Sequence, residues 1–421
     1  MNVLWITNVP TGRISAARGC KAGVFGGWLD TLADQLSRHD GIHLTVAFPD
    51  HDSGTAPDFG QVSDSFDYCA FGSSPSRVKP DATLVGFFED LISRIRPDVI
   101  HIWGTEYLHS YEAALACRKC GLLANTVVSI QGLVSRCAMA YFAGIERKTI
   151  PPSVGDIIRR DSIAKQQATF FARGIYEEET LKMVRHVIGR TDWDRACTRQ
   201  INPDVEYHFC NETLRAPFYS ARWNAGECEP YSIFVSQCAY PIKGFHKCLE
   251  AFAIVRRDYP AAKLYTTGST VVAHGLKDRV RQTSYRRYLE KEIERMALAD
   301  DVCFLGYLDA ETMCARYCRS NVFVSASSIE NSPNSVGEAM LLGVPVVSSA
   351  VGGVSSMLMH GREGYLYPFD EAYMLAYYIE EIFRNRDKAL EMSEKARLRA
   401  SDTFDRDKNF KTMLDIYGGL H

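Results

Sequence analysis

Residues 321–353, NVFVSASSIENSPNSVGEAMLLGVPVVSSAVGG, carry two apolar runs separated by a loop and a helix-forming stretch. Val322-Phe323-Val324 is the first run, 335–342 suits a helix, and Val344-Pro345-Val346-Val347 is the second, so the segment reads strand, loop, helix, strand. That is the parallel crossover unit of an α/β domain. Ser332 stands where a helix cap is expected and Pro333 suits the first helical position. The amides of Asn334, Ser335 and Val336 would then point into the loop as anion donors, a seat for a phosphate. Two carboxylates bracket that seat: Glu330 in the loop, and Glu338 in the helix, where the Cα–Cβ bond leans back toward the helix start. Acids beside an anion seat suit a ligand that carries sugar diols on both sides of a diphosphate, because a carboxylate accepts vicinal hydroxyls in a fork.

The rest of the chain bounds what such a seat can belong to. With 421 residues, 46% hydrophobic and 24% charged, it is long enough for two domains with separate cores. A formal charge of −3 argues against a general nucleic-acid binder, and the cluster Arg279, Arg281, Arg286 and Arg287 reads as a solvated helix face. Thirteen cysteines follow no spaced framework, and Cys117 and Cys120 lack a second pair at zinc-finger spacing, so a reducing cytoplasm with free thiols is expected. No apolar run reaches bilayer length and no leader-like segment opens the chain. Contact with a membrane would be peripheral, at its inner face.

The spacing of Glu330 and Glu338 is E-x7-E, and with the following AMLLGVPVVSSAVGG it resembles the retaining GT-B glycosyltransferases of the family-4 type. The resemblance implies a GT-B fold: two Rossmann-like domains facing each other across a cleft. The second would bind a UDP- or GDP-sugar and the first a saccharide or lipid-linked saccharide acceptor. It implies transfer of a hexosyl unit with retention of anomeric configuration, without a metal or other cofactor, as in polysaccharide biosynthesis. Glu330 would touch the transferred sugar and Glu338 the ribose. Two other readings stay open: a sugar-nucleotide epimerase of the same fold, and a catalytically silent partner subunit.

Taken in order, the chain opens on a strand over 2–7 and reaches Gly26-Gly27-Trp28 at the start of a helix. Paired glycines there let a diphosphate approach the backbone, and in the resembled family they face the donor. Residues 50–80, rich in Asp, Ser, Gly and Pro, are expected to be irregular. Strands over 98–102 and 126–130 should empty toward a ligand, which makes His101, Glu106 and Gln131 candidates for acceptor or sugar contact, although a lone histidine is more often structural. Many relatives carry histidine where Gln131 stands; glutamine keeps a hydrogen-bond role but no proton transfer. Residues 133–152 read equally as an acceptor or membrane-surface lip and as a packed loop. Arg190, at the tip of a strand over 186–188, could reach a phosphate.

A linker over 216–230 separates a domain 1–215 from a domain 231–403, and the tail 404–421 should cross back onto the first. After the strand 232–236, Lys243-Gly244 matches the lysine-glycine that holds the donor diphosphate in the resembled family. Gln237 stands at about the place of that family's arginine. Gly268 ends the next strand, and Gly306-Tyr307-Leu308 resembles the turn that reads the nucleobase. The expected catalytic residues are Glu330 and Lys243. Donor contacts are expected from Gly26, Gly27, Arg190, Gln237, Gly268, Tyr307, Leu308, Asn334, Ser335, Val336 and Glu338.

Overall fold

Strand β1 (Asn2–Ile6) is buried on both faces: Leu4 and Ile6 pack on one side of its sheet, Val3 and Trp5 on the other. A strand of that kind lies inside a parallel sheet covered by helices on both sides. The computed structural model describes residues 1–20, 27–50, 56–273 and 275–420. It divides into a first unit, Met1–Arg136, Thr169–Arg215 and Phe404–His421, and a second, Cys137–Ala168 and Ala216–Thr403.

In the first unit β1 is joined by β2 (His43–Asp50), β3 (Asp58–Ser63), β4 (Phe66–Gly72), β5 (Val99–Trp103), β6 (Thr126–Ser129), β7 (His186–Gly189) and β8 (Glu206–Phe209). Their order is β3-β4-β2-β1-β5-β6-β7-β8, parallel throughout except for β3 on β4. The chain runs outward from β1 one way and from β5 the other, so β1 and β5 flank the point where the order reverses, the usual place for a ligand crevice. β3 and β4 occupy the stretch expected to be irregular. β4 lies inside the sheet with Phe66, Cys69, Ala70 and Phe71 buried. β3 is a polar edge strand, the kind that composition hides.

The second unit holds β9 (Ser232–Val235), β10 (Lys263–Thr266), β11 (Val302–Phe304), β12 (Val322–Ser325), β13 (Val346–Ser349) and β14 (Tyr365–Tyr367). All pairs are parallel, in the order β11-β10-β9-β12-β13-β14. Here the reversal falls between β9 and β12. The helix Asn334–Leu342 is buried from Val336 to Leu342, which accounts for its apolar AMLL run, and Gly343 ends it at φ +82°.

Residues 137–168 pack with the second unit, although they lie inside the range 1–215 expected of the first. Their helix Val154–Arg159 is fastened there by Asp156, 2% exposed, whose carboxylate accepts from the amides of Ser153 (2.8 Å) and Ser284 (3.1 Å). The segment 133–152 is packed: Tyr141, Ile145 and Ile150 are buried.

Candidate active site

The loops that leave β9 and β12 meet at the reversal point of the second sheet. The β9 loop ends in a single helical turn, Pro241–Lys243, closed by Gly244 at φ +65°. A Cβ on Gly244 would sit 1.7 Å from the carbonyl oxygen of Ala326, so only glycine lets the two loops come this close. The amide of Ser328 donates to the carbonyl of Ile242 at 2.8 Å and fixes their register. Lys243 Nζ lies 2.6 Å from Glu330 Oε1, and Ser327 Oγ donates to the same oxygen at 2.7 Å. From the other side the amide of Gly353 donates to the Glu330 carbonyl at 3.0 Å, and Gly352, at φ +51°, leaves room for that carbonyl. Lys243 and Glu330, 87 residues apart, are therefore one ion pair, with side chains 28% and 13% exposed.

The helix beyond starts one residue later than expected. Pro333 occupies the cap position, Asn334 opens the helix, and no side chain caps it. Val336 donates to the Pro333 carbonyl at 3.0 Å, so its amide is not an anion donor; Asn334 and Ser335, at the first two helical positions, have no intrahelical acceptor to reach. The Asn334 side-chain oxygen is enclosed without a hydrogen-bond partner among the described residues. Glu338, 4% exposed, follows one turn on. At the ends of β10 and β11, Gly268 donates to the Gly306 carbonyl at 2.8 Å; next to this bridge Tyr307 is 72% exposed and Leu308 half-buried. Gln237 is half-buried after β9.

His246, just past Gly244, is buried between the Tyr285 hydroxyl and the Ala143 carbonyl, each at 3.2 Å, and burial pushes its pKa from 6.5 down to about 4. The unfolded chain takes up this proton near 6.5 and the folded chain only near 4. The contribution is therefore intact above 6.5 and lost as pH falls toward 4, by about 1.4 kcal/mol per pH unit. Urea midpoints for His246→Gln should fall less steeply from pH 7 to 5 than those of the wild type. Identical slopes would contradict it.

The first unit places its candidates differently. Gly26 lies outside the described residues; Gly27 opens the helix Gly27–Arg38. His101 is fully enclosed, its ring nitrogens 2.7 Å from the Tyr417 and Ser129 hydroxyls and its ring stacked on Trp103, and burial holds its pKa well below the usual histidine value. It anchors the C-terminal helix Arg406–Gly418 and reaches no ligand, which corrects the sequence reading. Arg190 is also corrected. Its guanidinium, 7% exposed, sits 2.5 Å from Glu212 Oε2 and 3.3 Å from the Ile130 carbonyl, so its charge is already met inside this unit. Gln131 donates to Glu212 at 2.5 Å. Glu106 accepts from Asn8 and from the Gly132 amide, both at 3.2 Å; burial raises its pKa against those bonds. Ser327, Gly352 and Asn8 escaped the sequence reading, since a small polar residue or a glycine announces a site only through what it touches.

All thirteen cysteines are free thiols. Residues 217–399 match the family model described as glycosyl transferases group 1. Mannosylfructose-phosphate synthase of Agrobacterium fabrum is 26% identical over 130 residues, 31% of this chain and 28% of that protein. Trehalose synthase of Pyrococcus horikoshii is 28% identical over 184 residues, 43% of this chain and 42% of that one, so the matched stretch spans less than half of either relative. Among solved structures, sucrose-phosphate synthase from Thermosynechococcus elongatus superposes with a TM-score of 0.71 at 18% identity, covering 100% of this chain and 99% of that one. Anabaena Alr3699/HepE in complex with UDP gives 0.69 at 17% identity, covering 100% of both. The chain thus has the GT-B fold, and Lys243, Glu330 and Glu338 lie within its match to the group 1 glycosyl transferases.

Proposed function

We propose that this protein is a retaining glycosyltransferase that moves a hexosyl unit from a UDP- or GDP-sugar to a saccharide or lipid-linked saccharide. The observation that carries this is the Lys243–Glu330 pair at 2.6 Å, set beside an uncapped helix start at the reversal point of a parallel sheet. One cation, two helix amides and a carboxylate side by side are what a diphosphate attached to a sugar requires. Similarity to proteins named mannosylfructose-phosphate synthase and trehalose synthase, and to a structure in complex with UDP-glucose, supports the same reading.

In this mechanism the diphosphate takes Lys243 Nζ and the amides of Asn334 and Ser335, which stabilise the charge that develops as it leaves. Both side-chain contacts of Glu330 fall on Oε1, so Oε2 takes a hydroxyl of the transferred sugar. Glu338 accepts the ribose hydroxyls, and Tyr307-Leu308 borders the base. The acceptor attacks on the face from which the diphosphate departs, and the leaving phosphate takes its proton; no side chain serves as nucleophile. Among the described residues no helix is long and apolar enough to cross a membrane, and the proposed place of action is the cytoplasm or the inner membrane face.

Because protein groups meet the charge of the leaving diphosphate, transfer should proceed without a bound metal. Radiolabelled UDP- and GDP-sugars, incubated with acceptor oligosaccharides, should yield labelled product in EDTA at nearly the untreated rate. Loss of activity restored by magnesium or manganese would contradict this. Interconversion of the donor would mark an epimerase, and no reaction a silent subunit.

A further inference from the structure

The first unit has its own reversal point, between β1 and β5, and a cavity of about 120 Å³ that several polar side chains line opens there. Asn8 borders it from the end of β1, Ser73 and Ser74 from the end of β4, and Tyr107 and His109 from the segment after β5; Arg173 lines it from the helix Ile163–Met183. The helix Leu108–Lys119 starts at this cavity without a side-chain cap, so the positive end of its dipole faces the same space.

The two arginines of the cavity differ. Arg77 is neutralised by Glu112, a fully buried carboxylate that also accepts from the Asp81 amide at 2.6 Å. Arg173 is 7% exposed and has no ion pair among the described residues. Its guanidinium donates to two neutral carbonyls, those of Pro75 and Arg77, and lies 4.9 Å from the centre of the Tyr107 ring. Burial lowers its pKa, as expected of a cation without a counter-charge. No Asp or Glu lines the cavity among the described residues. A buried cation is normally paired, and leaving one unpaired costs several kcal/mol. The neighbours of Arg173 hold it rigidly in place without neutralising it.

We infer that the cavity around Arg173 is a binding site for a phosphate group carried by the acceptor. Guanidinium geometry fits an oxyanion, and the serine hydroxyls and the helix start offer donors from other directions, as a tetrahedral dianion needs and a planar carboxylate does not. Asn8 bridges this cavity to the end of β5 and β6. Its side-chain oxygen lies 2.9 Å from His109 Nε2 and its amide donates to Glu106, which holds the Gly132 amide. A phosphate at Arg173 would thus lie one side chain away from Glu106. Naming the ligand as the acceptor rests on the glycosyltransferase reading; the anion site itself does not.

The test is phosphate binding to the full chain by calorimetry, in a Lys243→Ala background that silences the proposed donor seat. Inorganic phosphate should bind saturably there, more tightly than acetate. Arg173→Gln should weaken it by at least about tenfold. Ser74→Glu, on the exposed loop, places a carboxylate beside the cavity and should weaken it similarly without disturbing the core, which guards against a folding defect in the Arg173 variant. No phosphate binding, an affinity in either variant unchanged from that of the Lys243→Ala parent, or a preference for acetate would overturn the inference. UDP titrated into the wild type reports on the donor reading separately, so either can fail alone.

Discussion

Glu330→Gln should slow sugar transfer by about 10- to 150-fold, the equivalent of about 1.5–3 kcal/mol for a charged hydrogen bond, while UDP or GDP binds as well as before or better. The split follows from the pair. Glu330 is held on its backbone side by Gly353 and on its side chain by Ser327 and Lys243, so its carboxylate has one orientation in which to meet a sugar hydroxyl. With the remaining oxygen still turned to Lys243 and Ser327, the substitution sets an NH2 donor where Oε2 accepted that hydroxyl. It also frees Lys243 from its counter-ion, which leaves the cation fully available to a diphosphate. A truncation that damaged the loop in general would weaken nucleotide and transfer together. Parallel loss of both would place Glu330 on the nucleotide and not on the sugar.

Lys243→Ala should act with the opposite sign on the nucleotide: UDP or GDP affinity falls by about 1.5–3 kcal/mol, and turnover falls with it. Two causes add. Among the described residues the diphosphate loses the one side-chain cation assigned to it from the β9 loop, since Gln237 carries no charge and Arg190 is paired to Glu212. Glu330 loses its counter-charge, so a negative group now stands beside the place where a negative ligand must enter. Raising the ionic strength should then narrow the gap between wild type and variant, because the difference is electrostatic. Isothermal titration in low and high salt measures this; unchanged nucleotide affinity in Lys243→Ala would remove the lysine from the site.

These two predictions rest on residues that could be read from the chain, and the reason is physical. The second unit is built from short apolar runs between glycine-marked loops, and a fully buried parallel sheet writes that pattern plainly, as in VFVS and VPVV. Lys243 and Glu330 were each legible through the resemblance, the one in a lysine-glycine pair and the other in the E-x7-E spacing. Their contact was not, because it depends on the backbone approach allowed by Gly244. The first unit was less legible. His101 and Arg190 stand at or near strand ends and, in sequence, look the same whether a ligand or a buried partner awaits them. Their partners, Tyr417 and Glu212, are 316 and 22 positions away in the numbering, and only folding brings them together. Likewise nothing in the order of residues 137–168 signals that Asp156 fastens them to Ser284.

The central claim, retaining transfer from a nucleotide-sugar, can be measured without knowing the acceptor by offering water as the acceptor and following hydrolysis of the donor. Proton NMR of α-linked UDP- and GDP-hexoses, incubated with the protein in EDTA, follows the first sugar released before it mutarotates. The account predicts that the α-anomer appears first with the wild type and that release collapses in Lys243→Ala. The β-anomer appearing first would contradict retention, and a donor that stays intact across the panel would contradict the assignment of a transferase.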